Sequence, residues 1–136
     1  MPTVRSVKDN QFINTKYLPA AGATNNNDPF DLGAVAGDGD PNLFDVEVAV
    51  AAAPNHTDDT KTILIDLYDS ANGTDFAEAV PLIRCKIPGV AVTGSAATTF
   101  KFRCPPAVRR YIRCLNTVPS GAGDNTGVLV TYSLLF

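Results

Sequence analysis

From residue 43 onward the chain alternates between apolar and polar positions with a period of two, and turn-forming clusters interrupt the alternation. "LFDVEVAV" (43–50) puts Phe44, Val46, Val48 and Val50 on one side and Asp45 and Glu47 on the other. "TILIDLY" (62–68) groups Ile63, Ile65 and Leu67, and "PLIRCKI" (81–87) sets Ile83, Cys85 and Ile87 against Arg84 and Lys86. "TFKFRC" (99–104) sends Phe100, Phe102 and Cys104 inward and Lys101 and Arg103 outward. In "RRYIRCLNTV" (109–118), Arg110, Ile112, Cys114, Asn116 and Val118 share one face, with Arg109, Tyr111, Arg113, Leu115 and Thr117 on the other. "GVLVTYSLLF" (127–136) aligns Val128, Val130, Tyr132, Leu134 and Phe136. Period-two alternation is the signature of strands with one buried face.

No window sustains a 3.6-residue apolar period. The clusters "GDGDPN" (37–42), "APNHTDDT" (53–60), "DSANGTD" (69–75) and "PSGAGDNTG" (119–127) supply turns between strands. Six strands are clear, and weaker ones fall around 11–18, around 29–35 and at 3–7. About eight strands, with no tryptophan and no Cys–Trp–Cys spacing, predict an all-β, jelly-roll-like antiparallel sandwich rather than an immunoglobulin domain. Residues 18–41 are small and polar with few bulky anchors. Such a stretch reads as a long loop or as an arm ordered by another subunit.

Composition narrows the function classes. The 136 residues suffice for one domain with its own core. Charged residues make up 18% against the roughly 25% usual for soluble domains, which points to a surface covered in part by a partner. A net charge of −3 argues against general nucleic-acid binding. No apolar run reaches membrane-spanning length, and "MPTVRSVKDNQF" has no apolar signal core. These features predict synthesis and use in a cytosol-like compartment.

Candidate chemistry is sparse. Cys85, Cys104 and Cys114 fall in phase with apolar positions and read as buried thiols, not as a metal or redox set. The single histidine, His56, lies in a polar turn and reads as solvated. No nucleophile elbow, phosphate loop or zinc-protease motif occurs, so no enzyme activity, catalytic residue, cofactor or metal is expected. Tyr68 with Asp66 and Asp69 is the one local candidate for a sugar site. Acidic residues dominate 28–75 and basic ones the second half, a split suited to docking on a complementary surface or to ion pairs. Arg109 and Arg113 flank Tyr111, where a guanidinium can stack on the ring while reaching a carboxylate such as Asp45, Glu47 or Asp66.

Five stretches occur in an order that carries a family likeness: "NNNDPFDLG", "LIDLYDSANGTDF", "TFKFRCP", "RRYIRCLNTV" and "TGVLVTYSLL". Together they resemble the capsid cement proteins of short-tailed bacteriophages, the family of the Bordetella phage cement protein. The likeness covers roughly residues 25–136, which it implies as the sandwich domain, and leaves residues 1–24 as an extended N-terminal arm; Cys114 stands where that family commonly has leucine, and the chain ends in "LLF" rather than an acidic residue. It implies a decoration protein on the outer surface of the virion capsid, made in the host bacterial cytoplasm. Its partners would be the major capsid protein and further copies of itself, as dimer or trimer, with no direct nucleic-acid or membrane contact. On that reading the interface residues are Val4, Arg5, Phe12, Tyr17 and Leu18 on the arm and Arg109, Tyr111 and Arg113 on the late strand. The competing readings are a receptor- or glycan-binding jelly-roll module and a tail adaptor.

Overall fold

The computed structural model describes residues 8–32, 44–76, 80–105 and 108–135, and none of these is helical. Nine strands form among the described residues: β1 (Lys8–Tyr17), β2 (Thr24–Asn26), β3 (Phe30–Asp31), β4 (Asp45–Val50), β5 (Thr62–Ser70), β6 (Ile83–Pro88), β7 (Thr98–Arg103), β8 (Tyr111–Thr117) and β9 (Leu129–Leu135). They make two antiparallel sheets packed as a sandwich, ordered β1-β9-β4-β7 and β2-β8-β5-β6, with β3 also on β8.

The order follows from rolling one long antiparallel ribbon. Folding the chain back between β5 and β6 pairs β5 with β6, β4 with β7, β2 and β3 with β8, and β1 with β9. Rolling that ribbon then brings β9 against β4 and β8 against β5. With β2 and β3 counted as one interrupted strand, this is the eight-strand jelly-roll path.

The expected inward residues build the core. Phe44, Val46, Val48, Val50, Ile63, Ile65, Leu67, Cys85, Ile87, Ile112, Cys114, Val130, Tyr132 and Leu134 are all buried in one cluster. Burying each large apolar side chain contributes roughly 1.5–3 kcal/mol before entropy is counted. Phe100 and Phe102 pack on this cluster but stay only half-buried, because β7 ends its sheet.

The weaker strand expected around residues 11–18 is present and begins earlier in the chain. Residues 8–17 form β1, hydrogen-bonded to β9 from Lys8↔Leu135 to Tyr17↔Leu129 with an irregularity between Lys8 and Ile13. Leu18 is buried at 2% exposure in the core, and the half-buried Phe12 packs against it. Polar residues at alternate positions disguise β1, since an edge strand packs only part of one face. Val4 and Arg5 lie outside the described residues.

Candidate functional site

The two ends of the sandwich are built differently. At one end the connections β4–β5, β6–β7 and β8–β9 interlock. Ala53 bridges Ser95, Val90 donates its N–H to the carbonyl of His56, and Asn55 Nδ2 donates to the carbonyl of Asp124. Gly89 packs so closely that a Cβ there would lie 2.0 Å from the carbonyl oxygen of Asp58. This packing draws His56 inside, and the expectation of a solvated histidine is corrected. The ring is fully buried, and Nε2 lies 2.9 Å from the carbonyl oxygen of Ile87. A carbonyl only accepts, so Nε2 carries the proton in the neutral ring. Beside it is an open cleft of about 550 Å³ lined by Ala52, Pro54, Asn55, Asp124, Thr126, Gly127 and Val128. Asp124 is its one charged lining residue, and a hydroxyl and a backbone N–H from Thr126 hold its carboxyl below the usual range.

The other end gathers the arginines. Arg109 donates its backbone N–H to Asp69 Oδ2 at 2.9 Å and its guanidinium to Asp69 Oδ1 at 2.8 Å and to the Asp69 carbonyl at 3.0 Å. Burial by itself would raise the pKa of Asp69, but the hydrogen bonds and charge of Arg109 outweigh it and hold the carboxyl below its ordinary value. Arg110 forks onto Asp31 at 2.8 and 3.1 Å, with its guanidinium carbon 5.2 Å from the centre of the Tyr111 ring. Arg113 lies over Phe76 at 4.1 Å. Gly73 packs against the same tyrosine, where an added Cβ would meet the Tyr111 ring at 3.2 Å.

The expected stacking is therefore corrected in detail. Arg110, not Arg109 or Arg113, covers Tyr111. Asp45 pairs with Arg103 and Asp66 with Arg84. The alternation read through residues 109–118 fails at its start, because the chain bends at Arg110 and β8 begins only at Tyr111. Asp69 and Asp31 were missed as partners; the clue was their place at strand ends, where a side chain reaches past the ladder.

Four ion pairs between described residues share a rule. Each joins a carboxylate between residues 31 and 69 to an arginine between 84 and 110. The charge split along the sequence is thus partly neutralised by pairs within the chain. It also occupies the sugar-site candidate, since Asp66 and Asp69 are buried and engaged beside Tyr68.

The thiols are free and buried. Burial, aided by the nearby charge of Asp66, pushes Cys85 up to about 11. Burial, aided by Asp69, pushes Cys104 up to about 12. Cys114 is raised further for the same first reason. Among the described residues no three His, Cys, Asp or Glu side chains gather where a metal ion could be held. Of the interface candidates, Tyr17 is 56% exposed, whereas Arg109, Tyr111 and Arg113 converge in the cluster described above. No known family's sequence profile matches the chain, and no curated protein matches it in sequence.

Proposed function

We propose that this chain is a bacteriophage capsid cement protein that binds the outer surface of an icosahedral head and bridges neighbouring major capsid proteins. One observation carries the reading. Three of the five stretches behind the family likeness lie far apart in sequence yet meet at one end of the fold. Asp31 of "DPFDLG" grips Arg110 of "RRYIR", Asp69 of "LYDS" grips Arg109, and Gly73 and Phe76 of "NGTDF" contact Tyr111 and Arg113. That these residues act on one another supports reading the stretches together rather than as separate short patterns.

The physical task is linkage. A protein that binds the assembled shell and not its separated parts adds its binding free energy to shell stability. Repetition over a symmetric lattice turns modest contacts into high avidity, whether the chain acts as dimer or trimer. Immunogold labelling of intact particles of the encoding virus with antiserum to this protein tests the reading. Gold over the whole head is expected. Gold confined to the tail or one vertex would sink it in favour of a receptor-binding or adaptor role.

A further inference from the structure

The turn that follows β5 holds a reactive pair beside the arginine cluster. Asn72 is the one asparagine of the chain that a glycine follows. Glycine has no side chain to keep its backbone nitrogen from the neighbouring amide carbon, so in an Asn-Gly pair the chain readily modifies itself. The Gly73 nitrogen attacks Cγ of Asn72, an N–C bond forms, and the Cγ–Nδ2 bond breaks. Ammonia leaves with the proton that the glycine nitrogen gives up, and a five-membered imide remains. Water then opens that ring at either carbonyl, leaving aspartate or isoaspartate. Asn72 is exposed, so water has access to it.

The fold holds both reacting groups. Ser70 is fully buried, and its hydroxyl makes three bonds. It donates to Asn72 Oδ1 at 2.9 Å and accepts the backbone N–H of Asn72 at 3.2 Å and of Gly73 at 3.1 Å. The attacking nitrogen therefore has its proton bound to a neutral hydroxyl, which is no base. Asn72 Oδ1 also accepts the backbone N–H groups of Thr74 and Asp75, each at 2.9 Å. A backbone N–H only donates, which fixes the amide with its oxygen on that side. The leaving nitrogen, Nδ2, donates to Asp75 Oδ2 at 2.9 Å. Together these bonds keep the amide turned toward residues 74 and 75, and it is not free to rotate onto the Gly73 nitrogen.

We propose that Asn72–Gly73 is an imide-forming modification site that the Ser70 clasp keeps closed in the native fold, and whose conversion detaches the turn from Tyr111 and Arg113. The product sets a carboxylate against Asp75 where Nδ2 had donated to it, and the isoaspartate form adds a methylene to the backbone. Gly73 packs against Tyr111, and the buried Phe76 lies under Arg113, so both contacts hang on that backbone. The inference stands apart from the shell reading, since it concerns a reaction of this chain with water alone.

The test incubates the full-length protein at mildly alkaline pH, beside the same chain unfolded in guanidinium chloride. Mass spectrometry follows the amide-to-acid conversion, and peptide mapping locates it at Asn72. The folded protein should convert more slowly by about tenfold or more, because reaction waits on local opening of the turn. Ser70→Ala fits the same space without the hydroxyl and should convert faster than the unaltered protein while circular dichroism shows it folded. In converted protein the amide resonances of Tyr111 and Arg113 should shift. Equal rates in folded and unfolded chains, a folded Ser70→Ala no faster than the unaltered protein, or unmoved resonances would overturn the proposal. Hydrogen exchange at the Gly73 amide decides the clasp without any variant. Slow exchange is expected, and free exchange would overturn it.

Discussion

Asp69 is a nearly buried carboxylate that a single arginine holds by both backbone and side chain. Its side chain is 8% exposed, and it accepts both the backbone N–H and the guanidinium of Arg109. Asp69→Asn keeps the shape but removes the charge that strengthens these bonds, and should cost about 2 kcal/mol at neutral pH. The folded-state pKa is lowered. The stabilisation is therefore present above the ordinary carboxylate range and is lost as pH falls through the lowered value. Thermal melting of both proteins should show a clear gap at pH 7 that narrows in strong acid. An unchanged gap at low pH would show that the carboxylate charge is not what holds Arg109. The same residues explain what could be read beforehand. That arginines near Tyr111 would seek rings and carboxylates follows from their chemistry. Which ring and which carboxylate depends on a backbone bend at Arg110, and no periodicity reports a bend.

At the scale of elements, alternation located every strand whose inward face meets the full core. It gave only a weak signal where a strand is held from one side, and none where a loop is drawn inward. β5 and β9 meet the full core, with Ile63, Ile65, Val130 and Leu134 all buried as their spacing requires. β1 gave the weak signal, because its hold on the fold comes from the ladder with β9 and from Phe12 and Leu18 rather than from a continuous apolar face. His56 gave none, since burial of a turn residue depends on Gly89, distant in sequence, letting two backbones touch. The status of β1 has a direct test. If residues 1–17 were a dispensable arm, their removal would leave melting unchanged. As an integral strand, their removal uncovers β9 and the core beside Leu18, and should leave a chain that does not melt cooperatively by circular dichroism.

For the whole molecule, the two sheets are joined by apolar packing across the middle and by one buried polar bridge near a rim. Tyr132, on the four-stranded sheet, donates its hydroxyl to Asn116 Oδ1 on the five-stranded sheet at 2.6 Å, and both residues are fully buried. Asn116 Nδ2 in turn donates to Asn25, so the bridge extends to the strand that closes the rim. Burial holds the Tyr132 phenol well above its ordinary pKa, so it remains a donor throughout the physiological range. Asn116→Ala leaves the phenol O–H without its acceptor inside the core, whereas Tyr132→Phe leaves Asn116 still bonded to Asn25. The first change should therefore cost more, about 3 kcal/mol against about 1–2 kcal/mol. The double variant should fall short of the sum by about 1 kcal/mol, the coupling expected of a bridge in a low-dielectric interior. Chemical denaturation of the four proteins measures that coupling. Strict additivity would mean that the Tyr132–Asn116 bond adds no cohesion between the sheets beyond the packing around it.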